Sequence, residues 1–350
     1  MRGVAGVWGG VLLIGLGAWS GQAQELSGTE GLRLLQQEAL PRWREYEQQA
    51  DRWVGTAIYQ DEIKRADGKQ SRSRSRYVVR QSATGGVFER YLEDCEPWEE
   101  AGRGDFAYGV NSRYAFWLEK SLSGSKGGGG WLLRMIDEGG EGKSFRGPES
   151  DFSVWKTIRW MKYRGIDVLG KTLPELLDYQ PFRVVGMRRV SREGRELWVV
   201  DFECPHAVDK PPPYFVQGGT MMLDPAGYWT LIEGRFHIQD IIATGKIEIH
   251  IDYKFDNGVP IPVRYYQTGS RSNGTNFREE FTYDWSVPAR PLPESEFTLS
   301  HYGLPEPVGV VWERRTPVYV WLLVAAGVLL TLGIFFRWLA RRLRRGTSEG

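Results

Sequence analysis

The sequence predicts an α+β protein whose main element is an antiparallel sheet, followed by one transmembrane helix. Polar and apolar residues alternate strictly over 246–256, which is typical of a strand with one buried and one solvated face. Turn pairs such as Asp67-Gly68 and Asn257-Gly258 separate segments of this kind, so consecutive strands are expected to pair as hairpins. Nineteen uncharged residues, Val318 to Phe336, are long enough to cross a bilayer as a helix.

The charges around this span predict its orientation. Five arginines follow it directly, and such clusters stay on the cytoplasmic side: Arg337, Arg341, Arg342, Arg344 and Arg345. Met1-Arg2, the apolar stretch Val4 to Trp19 and the small residues Gly21 and Ala23 match a signal peptide cleaved after Ala23, with an uncleaved signal anchor as the alternative. We therefore predict a single-pass cell-membrane protein with a periplasmic domain. Its segments are a signal peptide (1–23), an exported β-rich domain (24–302), a juxtamembrane linker (303–317), the span (318–336) and a basic cytoplasmic tail (337–350).

Periodicity predicts two main helices in the exported domain. Glu30 to Asp51 repeats apolar residues at helical spacing, with Thr29 as the N-cap and Pro41 as a point of kinking or division. Pro148 to Arg164 has an apolar stripe and a basic stripe, and Thr172 to Leu177 adds a helical turn. The second helix either packs on the sheet with its basic side in solvent or acts as a lid whose cations meet lipid headgroups.

Strands account for most of the rest. The predicted segments are Val54–Lys64, Arg72–Arg80, Val87–Glu93, Arg113–Lys120, Gly130–Asp137, Trp198–Cys204, Tyr228–Ile238, Lys246–Asp256, Val259–Gln267 and Asn276–Trp285. Glu193-Gly194 and residues 224–227 are predicted turns between them. Pro288 to Pro307, with five prolines, is predicted to be an extended strap leading to the membrane.

No pattern indicates catalysis or metal binding. The four histidines are not at metal-ligand spacing, and two distant cysteines make no zinc motif. His250, between Glu248 and Asp252, lies on the solvated face of a strand, where polar residues are expected anyway. Residues 24–317 carry 39 basic and 43 acidic side chains, which is no footprint for nucleic acid. We therefore predict a protein that is not an enzyme and has no cofactor, metal or nucleic-acid partner.

The two cysteines leave a choice open. In an oxidising compartment a disulfide between Cys95 and Cys204 would persist. Because geometry cannot be read from sequence, a Cys95–Cys204 bond and two buried thiols are both compatible with the sequence.

A helix, many antiparallel strands, an amphipathic helix and a further run of strands follow one another over roughly residues 28 to 300. With the local fragments Gly218–Pro225 and Phe297–Ser300, this order resembles the bacterial lipoprotein-carrier-like superfamily, the half-barrels of the LolA/LolB type. The resemblance implies a strongly curved sheet with helices on its concave face and room for acyl chains. The predicted anchor departs from the soluble carriers, so acceptor, sensor and scaffold roles stay open.

Two hypotheses follow. In the first, the exported domain binds a lipid or a lipoprotein acyl chain, with basic residues Lys156, Arg159 and Lys162 at the headgroup. The apolar ligand-binding residues would be Phe152, Trp155, Ile158, Met161, Ile249, Ile251, Tyr253, Phe281 and Trp285. In the second, the domain is a structural or protein-interaction and sensor module whose sheet is filled by its own helices. The sequence identifies no particular protein partner.

Overall fold

The computed structural model describes residues 25–97, 104–120, 130–137, 145–147, 150–152, 154–205, 216–239, 243–310, 322–323, 325–333 and 337. The predicted signal peptide and basic tail lie outside these residues, apart from Arg337. The chain divides into two units, Met1–Pro305 and Glu306–Gly350, which are treated separately.

The first unit is built on an antiparallel sheet of 14 strands. In chain order the described strands are β1 (Glu25–Ser27), β2 (Val54–Lys64), β3 (Gln70–Ser82), β4 (Gly85–Glu96), β5 (Phe106–Asn111), β6 (Ala115–Lys120), β7 (Trp131–Asp137), β8 (Phe145–Gly147), β9 (Ser150–Phe152), β10 (Asp167–Val168), β11 (Lys171–Thr172), β12 (Arg183–Arg192), β13 (Arg195–Glu203), β14 (Val216–Asp224), β15 (Thr230–Gln239), β16 (Thr244–Asp256), β17 (Val259–Arg271) and β18 (Asn276–Ser286).

The sheet is open and curved, with β1 and β7 at its edges. Its order is β1-β12-β13-β14-β15-β16-β17-β18-β2-β3-β4-β5-β6-β7, so the late strands β12–β18 and the early strands β2–β7 form two meanders. The β18–β2 pair joins them and is in register from Asn276–Lys64 to Ser286–Val54. Two small hairpins, β8–β9 and β10–β11, lie outside the large sheet.

The first helical segment runs without a break through α1 (Gly28–Leu34), a π-helical turn (Leu35–Ala39) and α2 (Leu40–Ala50). Its N-cap is Ser27, which forms a capping box with Glu30, rather than the predicted Thr29. Pro41 lies in the first turn of α2, directly after the π turn, where its missing N–H is tolerated. The helical segment is therefore not divided at Pro41, and the irregularity that accompanies the proline is the π turn before it.

The second helix is shorter than predicted. α3 covers Val154–Lys162 and continues into a 3-10 turn, Arg164–Ile166. Ser150–Phe152 forms strand β9 instead, so the prediction that Phe152 lies on this helix is wrong. The predicted turn after it is α4 (Leu173–Leu177), which Thr172 caps through Glu175.

The predicted strap contains two 3-10 turns, Glu294–Phe297 and Leu299–Tyr302. Phe297 and Leu299 are buried, and Asn111 Nδ2 donates to the Phe297 carbonyl at 2.8 Å. Apolar side chains that find a buried seat explain why this proline-rich segment is not simply extended.

One hydrophobic core joins the helices to one face of the large sheet, here called the inner face. Trp43 and Tyr46 of α2 and Ile158 and Met161 of α3 are fully buried in it. Trp43 also has a polar anchor, because its Nε1 donates to the Trp229 carbonyl at 2.8 Å. The helices therefore occupy the inner face. The opposite face is mainly polar, as expected for a sheet with one covered face, but on β12 and β13 it carries a small buried cluster of Val190, Leu197 and Val199.

Of the predicted span, the structure describes 322–323 and 325–333, and 325–333 is helical. Within the described residues, none of the helices combines the length and the apolar character needed to cross a membrane.

Candidate functional site

Aromatic and aliphatic side chains form continuous rows across the inner face. Ile251, Tyr265, Phe281 and Tyr59 are register partners on the neighbouring strands β16, β17, β18 and β2. Along β18, the rings of Phe281, Tyr283 and Trp285 stack with centroids 5.8 and 5.6 Å apart. The strict alternation of these strands places every second side chain on this face.

The predicted apolar residues fall into two groups. Ile249, Ile251, Phe281 and Trp285 lie buried on the inner face, whereas Ile158 and Met161 lie on α3, which packs mainly on β4 and β5. The 3-10 turn that follows α3 covers β15 and β17. The main neighbours of α3 are therefore β4 and β5, although its Trp160 reaches Phe281 in the β16–β18 row.

Three further members of the predicted set differ in their surroundings. Trp155 is half-buried on α3 and lies against Gly86 of β4. Tyr253 follows a register shift in β16 and donates its hydroxyl to the Leu231 carbonyl at 2.6 Å. Phe152 belongs to β9, and its side chain is outside the described part of the structure.

The three predicted headgroup residues of α3 do not share one surface. Lys156 and Arg159 are exposed, but Lys162 is fully buried. Lys162 Nζ donates to the Asp51 carbonyl at 2.9 Å and to Gln81 Oε1 at 2.7 Å. This position corrects its expected place beside a headgroup: Lys162 joins α3 to the end of α2 and to β3. Burial lowers its pKa to about 7, while the nearby Asp51 opposes the shift.

A buried arginine that the sequence analysis did not single out, Arg164, lies in the 3-10 turn after α3 and packs against the sheet. The Arg164 guanidinium carbon lies 3.9 Å from the ring centroid of Trp160, 4.5 Å from that of Tyr265 and 4.9 Å from that of Phe281. Trp160 in turn meets Phe281 edge-on with centroids 5.6 Å apart. Cation–π contacts of this kind strengthen when the cation is removed from water. The sequence contains one feature that could have predicted this burial: Arg164 continues the apolar stripe of Trp155, Ile158 and Met161 at three-residue intervals.

The charge of Arg164 is only partly neutralised nearby. Its Nη1 lies 3.6 Å from Asp167 Oδ1, and both side chains are almost fully buried. Burial raises the pKa of Asp167 to about 6, and the Arg164 cation opposes that shift. The Nε of Arg164 has no hydrogen-bond partner in the described part of the chain.

Further along the same strands, the inner face becomes polar. Gln267, Glu279 and Asp61 are register partners on β17, β18 and β2; Gln267 is buried, and Glu279 and Asp61 are half-buried. Burial raises the pKa of Glu279, against the influence of Arg164. Beyond them Phe277 and Ile63 form a half-buried apolar pair. Gln267, Glu279 and Asp61 therefore form a polar row between the buried aromatic residues and the half-buried pair Phe277 and Ile63.

The cysteines adopt the second of the two arrangements that the sequence left open. Cys95 lies on β4 and Cys204 directly follows β13, and both are buried thiols. These strands are eleventh and third in the sheet, so the predicted Cys95–Cys204 disulfide is not formed. Burial raises the pKa of the Cys204 thiol to about 11.

The described residues contain no cluster of three or more histidine, cysteine, aspartate and glutamate side chains able to hold a metal. His250 is exposed on β16 and lies 3.1 Å from Asp252 Oδ1, as expected for a solvated strand face.

No protein-family model matches this chain, and no curated protein matches it by sequence. Solved structures similar to it include a putative outer membrane lipoprotein-sorting protein domain from Vibrio parahaemolyticus, with 13% identity over 75% of this chain and 97% of the other and a TM-score of 0.35. A LolA superfamily protein from Nitrosomonas europaea is 10% identical over 75% of this chain and 99% of its own, with a TM-score of 0.36. A DUF1329 family protein from Desulfovibrio piger is 9% identical over 76% and 99%, with a TM-score of 0.33. The solved structures that are similar to this chain thus include proteins of the lipoprotein-carrier-like type that its sequence resembles. These similarities are distant, and the proposals that follow rest on the residues of this chain.

Proposed function

We propose that this protein is a membrane-tethered, non-catalytic binder of an apolar ligand, a lipid or a lipoprotein acyl chain, in the cell envelope. The observation that carries the proposal is the in-register row of Ile251, Tyr265, Phe281 and Tyr59, an apolar surface that crosses four strands. Each methylene of an acyl chain buried there would contribute about 0.8 kcal/mol before the costs of ordering.

The helix over this side of the sheet is short. α3 has nine residues and is about 13 Å long, whereas fourteen strands about 4.8 Å apart extend over roughly 65 Å, so α3 alone covers only a small part of the inner face. We call residues 154–177 the lid. Because the strands of the lid, β10 and β11, pair with each other and not with a strand of the large sheet, the lid can move away from the inner face without unpairing a strand of that sheet.

A few polar contacts hold the lid. Lys162 contacts the Asp51 carbonyl and Gln81, and the Tyr163 hydroxyl donates to Asp51 Oδ1 at 2.5 Å. In the proposed cycle these contacts break and the lid moves away from the sheet. The acyl chain of the ligand then binds along the inner face, and the lid closes over it, with no covalent step.

A second candidate is a structural or protein-interaction and sensor module of the envelope. It is favoured by the burial of Ile249, Ile251, Phe281 and Trp285, which are only 1–2% exposed and belong to the same hydrophobic core as the helices. In this case the inner face stays filled and the lid does not open.

Photolabelling separates the two functions. Membranes of cells that express the full chain would be incubated with a long-chain alcohol carrying a photoreactive diazirine, and the adducts would be mapped by mass spectrometry. We expect adducts on peptides of β16–β18 and the lid that disappear with an excess of unlabelled alcohol. Adducts confined to Val318–Phe336, which any span in lipid would give, contradict the proposal.

A matched pair of variants tests the lid. Tyr163→Phe removes the hydrogen bond to Asp51 and should increase inner-face labelling. Tyr266→Phe makes the same change on the opposite face of β17, under the Arg278 guanidinium, and should leave the labelling unchanged.

A further inference from the structure

Three buried polar groups gather where the lid meets the sheet and have no hydrogen-bond partner in the described part of the chain: Arg164 Nε, Tyr46 Oη and Tyr283 Oη. Tyr46 Oη lies beside Gly165, because a Cβ added to Gly165 would fall 2.6 Å from it. The Tyr283 ring stacks on that of Phe281 with centroids 5.8 Å apart, and the Arg164 guanidinium lies 4.9 Å from the Phe281 ring. Arg164 is close enough to Tyr283 to oppose the rise in the pKa of its hydroxyl that burial causes. The three groups therefore belong to one neighbourhood, under the 3-10 turn.

These groups call for an acceptor. Each can donate an N–H or O–H, and a buried donor without a partner is unfavourable because it has lost its hydrogen bonds to water. The ion pair of Arg164 with Asp167 spans 3.6 Å, which is longer than a charge-assisted hydrogen bond. A group with several oxygens and a negative charge would satisfy the donors and the cation together.

We propose that Arg164, Tyr46 and Tyr283 bind the anionic end of an amphiphile, a carboxylate or a phosphate, whose chain lies along the inner face. The inference rests on the proposed function and names the chemistry of its ligand. The rings of Trp160, Tyr265 and Phe281 hold the guanidinium in place, so little side-chain ordering remains to be done on binding.

Two carboxylates set a limit on this site. Asp167 lies 3.6 Å from Arg164, and the more weakly coupled Glu279 also acts on it electrostatically, so an incoming anion competes with both for the cation. Removing the charge of Glu279 should therefore strengthen binding of an anionic ligand, whereas removing the charge of Arg164 should weaken it.

Competition against the uncharged photoreactive alcohol tests the site, because that probe carries no group for Arg164 to recognise. The competitors are hexadecanol, hexadecanoic acid and hexadecyl phosphate, added to the full chain held in amphipol. For the wild type we expect the better of the two anionic competitors to halve inner-face labelling at a concentration about tenfold lower than hexadecanol. Which of the two is better decides between carboxylate and phosphate.

Variants give the controls. In Arg164→Gln the anionic advantage should fall to within about twofold, and in Glu279→Gln it should grow. In Arg235→Gln, which changes an exposed arginine on the opposite face of β15, it should persist. Equal competition by all three compounds in the wild type overturns the anion site and leaves the apolar binder standing. Absence of inner-face labelling in the wild type overturns both. If Arg164→Gln still labels on the inner face and keeps the anionic advantage, Arg164 does not bind the anionic end and the proposed site is wrong.

Discussion

Lys162 and Arg164 are separated by one residue, and both place a cation inside an otherwise apolar core. Lys162 reaches carbonyl and amide oxygens at the end of α2 and on β3, whereas Arg164 lies among aromatic rings. Their surroundings fit their chemistry, since an ammonium group needs close oxygen acceptors and a planar guanidinium stacks on rings. The two residues therefore divide the lid into a part fixed by hydrogen bonds and a part fixed by cation–π contacts.

Lys162 predicts a pH dependence of stability. Its pKa is lowered from 10.5 to about 7 in the folded chain, so the unfolded chain binds more protons between these values. The cost of the buried charge is therefore full below pH 7 and decreases as the pH rises. Between pH 7 and 9, the unfolding free energy of the wild type should rise by about 1 kcal/mol per pH unit relative to Lys162→Met.

Urea unfolding followed by tryptophan emission measures this difference at each pH. Lys156→Met, which changes an exposed lysine on the same helix, should keep the wild-type pH dependence. Parallel profiles for the wild type and Lys162→Met would show that Lys162 does not titrate in this window.

The cysteines give a second prediction at this scale. Because both thiols are buried and the pKa of Cys204 is raised to about 11, the folded chain should react slowly with iodoacetamide at pH 8. After denaturation without reductant, both residues should be modified fully. If full modification needs prior reduction, the two cysteines are joined in the cell and the arrangement described above does not hold.

At the scale of elements, the turns were the most predictable feature. The strand Val54–Lys64 has the predicted bounds, and the turns at Glu193-Gly194 and Asn257-Gly258 have positive φ at both residues, as a two-residue hairpin requires. These features depend on neighbouring residues alone. The alternation in β16 predicts its buried face correctly as far as Ile251. A register shift follows between Asp252 and Tyr253, and Phe255, which continues the alternation, is exposed.

Elements that depend on distant contacts were not predictable. β5 went unrecognised, since its small and aromatic residues form no clear alternation and it is held by β4 and β6. The start of α3 was misplaced because Phe152 continues the helical spacing although it lies in β9. The burial of Lys162 and Arg164 is likewise decided by what packs over them, which periodicity within one helix does not contain.

Packing between β5 and β6 gives a prediction at this scale. Gly109 is the register partner of Phe116, and a Cβ on Gly109 would lie 2.1 Å from the ring of that fully buried phenylalanine. Gly109→Ala should therefore lower the unfolding free energy by about 1–3 kcal/mol. Gly186→Ala, in β12, meets no atom within 4 Å and should be neutral or slightly stabilising in the same urea titration. Equal midpoints for the two variants would contradict this account of the β5–β6 contact.

At the scale of the whole molecule, the proposed function depends on the compartment that the first unit occupies. A binder of envelope lipids works only if the sheet and its lid lie outside the cytoplasmic membrane. The sequence predicts this placement through the uncharged segment Val318–Phe336 and the arginines that follow it, because moving such a cluster across the bilayer is unfavourable.

Reporter fusions test the placement on the full chain. Alkaline phosphatase, which is active only after export, should be active when inserted after Pro305 and inactive when fused after Gly350, and a green fluorescent protein that matures only in the cytoplasm should show the reverse. Replacing the five arginines by glutamine should weaken this difference, because the charge bias orients the span, whereas replacing the same number of arginines in β3 and β12 should not. Phosphatase activity after Gly350 in the unaltered chain would place the tail outside the cytoplasm. That result would contradict the predicted orientation of the span and, with it, the single-pass tether of the proposed function.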